Sequence, residues 1–569
     1  MGGGADVKTL LKNAFVINVF TDEAEKKNVL LGNDRIIGVG DYDDSDADKV
    51  RDLSGKFICP GLIDGHIHIE STMLIPYELA NVVVPHGTTA IVADPHEIAN
   101  VCGDEGIEYM LEASEGLPLD IYFTASSCVP ATPFDETGAT MDASDLEKYY
   151  INPRILGLAE MMNFPGVLFR DPGVMRKIAD AKAAGKVVDG HAPLLSGKEL
   201  DSYVAAGVQS DHECSNLEEA IEKLKRGQYI MIREGTAAKN LKSLIGLFDP
   251  KYNHRCLLVT DDCHPVDLLN RGHIDNIIRL AAGLGADPIV AIRMASLQAA
   301  QYFRIPDVGA VAPGYIANLT IVDELKNFHV TDVYSHGKAV FRNGELIPFE
   351  EPEVDMELER YVRDTFHVSP LKPEDFRISE ENGLCRVIEL IPGEIITKEI
   401  HEEIRFDQNS GIDISRDILK LAVVERHNGT GHIGIGFLKG AGMKEGAIAS
   451  SVSHDSHNII VIGTSDEEMA FAANKIIKMG GGNVVVKDGE DIARMALPIA
   501  GLMSDFSAKD TAGFNARVRN AVYELGTSRN VEPFMNMAFV SLPVIPALKM
   551  STLGLVDVMK FERVPLKVD

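Results

Sequence analysis

From Pro60 onward, the sequence alternates short apolar runs rich in β-branched residues with segments of amphipathic helical pattern. The runs predicted as strands are 62–66, 89–93, 121–125, 155–160, 187–191, 209–212, 230–233 and 256–260. The segments predicted as helices include 103–115, 174–184, 197–206 and 217–226. Strand–helix units repeated at this spacing predict parallel strands covered by helices, and eight of them are what a (β/α)8 barrel of the TIM type requires. Periodicity alone does not distinguish eight units from seven or nine.

The chain has 569 residues, whereas such a barrel uses roughly 250, so an α/β fold with further domains is expected. Strand and turn patterns in residues 1–59 and 308–350 predict one small composite β-sandwich, built from both flanks of the barrel at 60–307. Residues 351–569 predict an additional C-terminal α/β domain. Its apolar strands are expected at 419–424, 458–462 and 483–486, and a helix at 467–478.

Charge and cysteine content exclude several classes of protein. The formal net charge of −30 argues against nucleic-acid or membrane partners, because both present negative charge. Seven scattered cysteines, an odd number without a Cys-x-x-Cys motif, fit a reducing cytoplasm better than a disulfide framework. The first residues lack the pattern of a signal peptide, and no apolar run is long enough to span a bilayer.

His66 and His68 end the first predicted strand. In an extended chain, residues i and i+2 point to the same side about 6.6 Å apart, so two imidazoles can converge on one divalent ion. A bare His-x-His pair fits two surface histidines equally well. Two features make the pair a stronger indication of a metal site: the surrounding segment 60–68, Pro-Gly-Leu-Ile-Asp-Gly-His-Ile-His, and the residues that end later strands.

Further metal-ligand side chains end four later strands, at the face where barrel active sites form: Glu160, His191, His212 and Asp261. A carboxylate such as Glu160 can bridge two ions. Asp262 is the rival of Asp261 as a ligand. Four imidazoles and two carboxylates suit a pair of Mn²⁺, Fe²⁺ or Zn²⁺ ions, which would share a hydroxide and lower its pKa.

These residues resemble the ligand set of the amidohydrolase superfamily, and within it most closely the adenine deaminase family of bacteria and archaea. Hydantoinases and dihydroorotases use a carboxylated lysine as the bridge, where this chain has Glu160. The similarity extends to segments 93–100, 232–235, 260–265 and 451–458, and it covers nearly the whole chain.

The resemblance implies hydrolytic deamination of adenine to hypoxanthine and ammonia, a step of purine salvage, by a hydroxide activated by two metal ions, with Mn²⁺ or Fe²⁺ favoured over Zn²⁺. Asp261 would act as general base and then acid. Glu234 and Glu97 are the candidates for protonating N1 of the purine or holding its ring. Arg233 either assists there or forms a structural ion pair with one of these glutamates.

Four more residues are candidates for substrate binding or for supporting the ligands. Asp94 and His96 follow the second strand and are expected to orient metal ligands. His454 and His457 form either an active-site lid or an ordinary polar turn. The family also suggests a homo-oligomer. The alternatives are another deaminase or a cyclic amide or amidine hydrolase of this superfamily, and a non-catalytic scaffold, which should have lost ligands.

Overall fold

The computed structural model describes residues 7–236, 238–391 and 396–568. The outermost residues of the predicted N- and C-terminal domains, 1–6 and 569, therefore lie outside the described residues. The chain begins with five strands, β1 (Lys8–Asn18), β2 (Glu23–Gly32), β3 (Arg35–Gly40), β4 (Lys49–Asp52) and β5 (Phe57–Pro60).

Eight parallel strands follow: β6 (Leu62–Ile67), β7 (Thr88–Ala93), β8 (Asp120–Ala125), β9 (Ile155–Met161), β10 (Val187–Gly190), β11 (Ser210–Asp211), β12 (Tyr229–Arg233) and β13 (Cys256–Val259). Pairing runs in chain order through β6–β10 and through β11–β13. The N–H of Gln209 donates to the carbonyl of Val188 (2.9 Å), and the N–H of Asp261 to that of His66 (2.9 Å). These bonds connect the two sheets at both edges.

Helices lie between and after these strands: α1 (Pro76–Val83), α2 (His96–Glu112), α3 (Ala143–Leu146), α4 (Phe164–Leu168), α5 (Pro172–Ala183), α6 (Gly197–Ala206), α7 (Leu217–Lys225), α8 (Leu241–Leu244), α9 (Pro265–Arg271), α10 (Ile274–Gly283), α11 (Pro288–Met294) and α12 (Leu297–Phe303). The helix predicted at 103–115 starts earlier than expected, at His96, and bends at Gly103, where φ is 60°. His96 and Glu97 therefore occupy the first turn of α2.

Four strands then join the sheet formed by the N-terminal strands: β14 (Leu319–Val322), β15 (Val330–Ser335), β16 (Lys338–Arg342) and β17 (Glu345–Leu346). Strand β14 pairs antiparallel with β5, Leu319 opposite Pro60. The two flanks thus form one nine-stranded sheet in the order β17-β16-β15-β14-β5-β1-β2-β3, with β4 paired to β1.

The remaining chain contains α13 (Met356–Arg363), β18 (Gly383–Leu390), β19 (Thr397–Ile404), β20 (Ile418–Val424), β21 (Ile433–Lys439), β22 (Ala447–Ser450), β23 (Ile459–Gly463), α14 (Asp466–Met479), β24 (Gly482–Lys487), β25 (Glu490–Ala496), α15 (Ala508–Glu524), α16 (Pro533–Phe539), β26 (Leu548–Ser551), β27 (Gly554–Asp557) and β28 (Glu562–Arg563). Strands β18–β25 form an eight-stranded sheet in the order β19-β18-β21-β20-β23-β22-β24-β25. Predicted elements of this region are confirmed as β20, β23, β24 and α14.

Alternate residues of the parallel strands belong to two separate apolar clusters. Ala90 and Val92 pack with Leu257 and Val259, whereas Ile91 belongs to the large cluster that includes the helices. This period of two, with both faces buried, explains why the strands read as continuous apolar runs. The structure confirms a mixed α/β architecture. Among the described residues, no helix has the length and apolarity needed to cross a bilayer.

Candidate metal centre and active site

Parallel strands place their carboxyl ends at one edge, and this brings the predicted ligands together. Nε2 of His68 lies 3.2 Å from Oδ1 of Asp261 and 3.4 Å from Oε1 of Glu160. Oε2 of Glu160 lies 2.6 Å from Nδ1 of His191 and 3.1 Å from Nε2 of His212. One oxygen of the Glu160 carboxylate therefore faces the imidazole of His68, which follows β6. The other oxygen faces the imidazoles that follow β10 and β11.

His66 completes the cluster in a way that suits a cation. Its Nε2 is 3.8 Å from Oδ1 of Asp261 and is buried without a hydrogen-bond partner among the described residues. Its ring stacks on that of His212 at 4.4 Å. Burial and the neighbouring imidazoles lower the pKa of His66 to about 3, which favours the neutral, ligating form. Since unpartnered buried nitrogens are unfavourable, this donor set fits divalent metal ions.

Backbone groups and a second layer of acids orient these ligands. Nδ1 of His68 donates to the carbonyl of Asp94 (3.2 Å), which turns Nε2 towards the cluster. Oδ2 of Asp94 accepts the backbone N–H of Glu160 (3.3 Å). Asp261 has φ of 62°, an uncommon value for a residue with a Cβ, and its N–H bonds to His66. Strand β6 thereby fixes where the Asp261 carboxylate points.

Arg233 connects Asp261 to an acid that sequence reasoning missed. Its guanidinium bonds to Glu213 through Nη1 (2.5 Å) and Nη2 (2.8 Å), and Nη1 also bonds to Oδ2 of Asp261. The expected ion pair thus exists, but its partners are Glu213 and Asp261 rather than Glu234 or Glu97. Although burial raises the pKa of Glu213, Arg233 and the nearby histidines bring it below its usual range. The only sequence signal was its position directly after His212.

Asp262, the rival ligand, points to a different partner. Its Oδ1 accepts a hydrogen bond from the Ser71 hydroxyl (2.5 Å). Burial, and then the charge of Asp261, raise the pKa of Asp262. An oxygen of Asp262 still lies within 4.8 Å of ligand atoms of His68 and Asp261, so both acids border the same space.

A second cluster adjoins the first and joins α2 to the C-terminal region. Nδ1 of His454 lies 2.7 Å from Oε1 of Glu97, and Nε2 of His457 contacts Oε2 of the same carboxylate. His96 lies between the clusters, with Nδ1 3.2 Å from Oδ1 of Asp94 and 3.8 Å from Oε1 of Glu160. Both histidines of the segment 451–458 therefore contact the first turn of α2 through Glu97.

A cavity of about 40 Å³ lies between the two clusters. Its polar lining includes His68, Glu97, Glu160, Asp261 and His454, and its apolar lining consists of Met162, Ala238, Phe539, Leu542 and Ile545. Sequence reasoning missed the apolar residues, and no motif marks them. Glu234 is not among the described residues that line the cavity, and its Oε1 lies 3.7 Å from Nζ of Lys239.

Comparison with known proteins agrees with this site. Residues 57–340 match the amidohydrolase family, and residues 394–562 match the adenine deaminase C-terminal domain. The chain is 46% identical over 560 residues to "Adenine deaminase 2" of Carboxydothermus hydrogenoformans, covering 98% of this chain and 97% of that protein. It is 45% identical to "Adenine deaminase" of Desulfatibacillum aliphaticivorans, covering 98% of this chain and 96% of that protein.

Among solved structures, a β-aspartyl dipeptidase from Fervidobacterium islandicum AW-1 aligns with a TM-score of 0.48 at 17% identity, covering 61% of this chain and 100% of that one. The full-length relatives carry the assignment, because they span both the parallel strands with the cluster of predicted ligands and the C-terminal region that covers the cavity. The chain belongs to the adenine deaminase family, within the amidohydrolases.

Proposed function

We propose that this protein is an adenine deaminase, converting adenine and water to hypoxanthine and ammonia. The observation that carries the proposal is identity of 46% to a named adenine deaminase across 98% of the chain. This span includes the ligand cluster and the C-terminal residues that line the cavity. Glu160 at the bridging position, instead of a carboxylated lysine, agrees with this branch of the superfamily.

We also propose that the eight parallel strands form a (β/α)8 barrel at residues 60–307, with a small composite β-sandwich from residues 1–59 and 308–350 and a C-terminal α/β domain at 351–569. The pairing in chain order supports it, as do the hydrogen bonds to β10 from Gln209, directly before β11, and to β6 from Asp261, just after β13. The β14–β5 pairing supports the composite domain.

The proposed metal ligands are His66, His68, Glu160, His191, His212 and Asp261. His66 and His68 would hold one ion and His191 and His212 the other, with Glu160 between them. Two such ions, when bound, lower the pKa of the attacking water towards neutrality. Mn²⁺ or Fe²⁺ is favoured, and Zn²⁺ suits the same donors.

Around these ligands, the chain itself moves the protons. Asp261 is placed to take a proton from the attacking water and return it to the leaving amine. Arg233 keeps the Asp261 carboxylate ionised and holds its orientation. Of the two glutamates proposed to act on N1, Glu97 lines the cavity, whereas Glu234 pairs with Lys239 outside its lining. The geometry therefore favours Glu97 over Glu234.

The test is ammonia release by protein loaded with Mn²⁺, Fe²⁺ or Zn²⁺, assayed on adenine, adenosine, guanine, cytosine and a hydantoin. We expect adenine to be the preferred substrate and chelator-stripped protein to be inactive. Ring opening of the hydantoin without ammonia from adenine would instead favour the cyclic amide hydrolase. No reaction with any of them, together with no bound metal, would favour the non-catalytic scaffold, which the intact ligand set argues against.

Adenine, a small molecule, is the proposed partner, and the net charge of −30 argues against nucleic acid. A cytoplasmic location is supported by the seven cysteines, which are free and buried. The homo-oligomeric state suggested by the family stays a prediction.

A further inference from the structure

His454 reaches the cavity from the C-terminal region. It lies in the connection between β22 and β23, and its ring stacks on Phe539 with centroids 4.5 Å apart and an interplanar angle of 16°. Its backbone is held as well, since its N–H donates to the carbonyl of Ala538 (3.1 Å). This imidazole therefore has a fixed place in the cavity wall.

The two ring nitrogens of His454 have different surroundings. Nδ1 is engaged by Oε1 of Glu97 at 2.7 Å. No group in the described part of the chain hydrogen-bonds to Nε2 of His454. This nitrogen is also not fully buried. Because His454 lines the cavity and Nδ1 faces Glu97, Nε2 is the nitrogen available to a molecule bound there.

His457 shows that this cluster is a hydrogen-bonded relay. The backbone N–H of Ser453 donates to Nδ1 of His457 (3.2 Å), so the ring hydrogen of the neutral form sits on Nε2 and is donated to Glu97. Nε2 of His457 therefore has no lone pair to offer a metal ion. Although Glu97, His454 and His457 have ligand spacing, the arrangement opposes a third cation there.

We propose that His454 is a catalytic residue which donates Nε2–H to N1 of adenine, and that Glu97 and His457 are positioning residues which hold its ring. This inference rests on the proposed adenine deaminase function. It reassigns Glu97, because both of its oxygens already accept hydrogen bonds from imidazoles, and an ionised carboxylate has no hydrogen to donate.

The charges around His454 favour its protonated form. Glu97 on α2, Asp262 after β13 and the adjacent Asp455 are the acids that act on it, while His457 is the neighbouring imidazole. Burial alone lowers the pKa of His454, but these carboxylates outweigh it and raise the pKa to about 9. The imidazolium is therefore present at neutral pH and is lost as the pH rises through that value.

The proton balance is complete with the groups present. As water attacks C6, one of its protons goes to Asp261, and His454 gives its Nε2 proton to N1 as the C6–N1 double bond opens. Asp261 then protonates the amine, and the C6–N bond breaks to release ammonia. The C6 hydroxyl loses its proton as the carbonyl forms, and that proton restores His454. Hypoxanthine keeps the hydrogen on N1.

The test compares His454→Gln with wild type and with His401→Gln, a control histidine on β19 whose side chain is 42% exposed. We expect His454→Gln to lower kcat/KM for adenine by about 100-fold or more, the usual contribution of a general acid. Metal content should stay at the wild-type value, whereas Tm should fall because the buried His454–Glu97 pair is lost. His401→Gln should change none of these quantities.

Two further readouts separate a chemical role from a structural one. In Zn²⁺-loaded protein with ¹⁵N-labelled histidine, NMR should show His454 doubly protonated at pH 7 and titrating near pH 9, and Glu97→Gln should lower that pKa. The decline of kcat/KM above pH 9 should be reduced or absent in His454→Gln.

Unchanged kcat/KM in His454→Gln, or a neutral His454 at pH 7, would overturn the inference while leaving the deaminase function standing. A third equivalent of metal that disappears in His454→Gln would also overturn it, in favour of a cation site. A wild-type enzyme that releases no ammonia from adenine would instead defeat the proposed function, whatever the NMR result.

Discussion

At the scale of single residues, Glu160 decides the character of the cluster. A glutamate offers two oxygens on one planar carboxylate, and here the two oxygens face different histidines. Burial raises the pKa of Glu160, yet His212 and His191 outweigh it and hold the pKa well below its usual range. Glu160 therefore stays ionised.

His66→Ala should remove one imidazole from the cluster while leaving the fold intact. We expect metal content to fall from two equivalents to one or fewer, and ammonia release from adenine to fall at least 100-fold, since its Nε2 has no other described partner. Elemental analysis, circular dichroism and the ammonia assay check this. His254→Ala, at an exposed position, is the control. Two retained equivalents would show that His66 is not a ligand.

At the scale of secondary-structure elements, the first turn of α10 shows how helices are fixed around the strands. Asp275 is buried there, with Oδ1 accepting the N–H of His273 (2.7 Å). Its Oδ2 lies 3.1 Å from Nδ1 of His86 and 2.5 Å from Nη1 of Arg279. Nε2 of His273 in turn lies 2.9 Å from Asp64 on β6, so this turn ties α10 to the first parallel strand.

Asp275→Asn should destabilise the protein in a pH-dependent way. Burial raises the pKa of Asp275, but His86 and Arg279 outweigh it and lower the pKa below the ordinary value. A carboxyl group whose pKa is lowered by folding stabilises the protein at pH values above its unfolded-state pKa of about 3.9. This stabilisation is lost as the pH falls through the folded-state pKa. Removing a charged hydrogen-bond acceptor costs roughly 1.5–3 kcal/mol.

We therefore expect the Tm of Asp275→Asn to lie below wild type at pH 7, with the difference shrinking below pH 4. Differential scanning fluorimetry across this range measures it. The matched control is Asp287→Asn, because Asp287 caps α11 at an exposed position and asparagine caps equally well. A Tm difference that does not change with pH would contradict the ionic explanation.

At the scale of the whole molecule, the site is shared by segments that lie far apart along the chain. Phe539, Leu542 and Ile545 cover the cavity whose other wall begins at His68. Further contacts hold the C-terminal region against the segment that follows β6: the N–H of Ser504 bonds to the carbonyl of Met73 (2.9 Å), and that of Ala508 bonds to Glu78 on α1 (2.7 Å). The C-terminal region is thus part of the candidate active site.

Phe539→Leu should raise KM for adenine up to about tenfold without loss of metal. Leucine keeps apolar bulk but removes the ring stacked on His454, and aromatic pairs contribute roughly 0.5–1.5 kcal/mol beyond buried area. Steady-state kinetics with metal analysis measures the effect. Phe506→Leu, at a ring 45% exposed in the same region, is the control. Loss of metal in Phe539→Leu would mean that Phe539 supports the ligands instead.

The sequence by itself determined the mixed α/β architecture and the strand-end position of the predicted ligands. Local periodicity sets the strands, and parallel strands bring their carboxyl ends to one edge, so His66, His68, Glu160 and Asp261 were predictable as neighbours. Only the tertiary structure decided that Arg233 pairs with Glu213, that Glu234 turns to Lys239, and that Phe539 and His454 close the cavity. These contacts join distant segments through packing, which leaves no periodic signal along the chain.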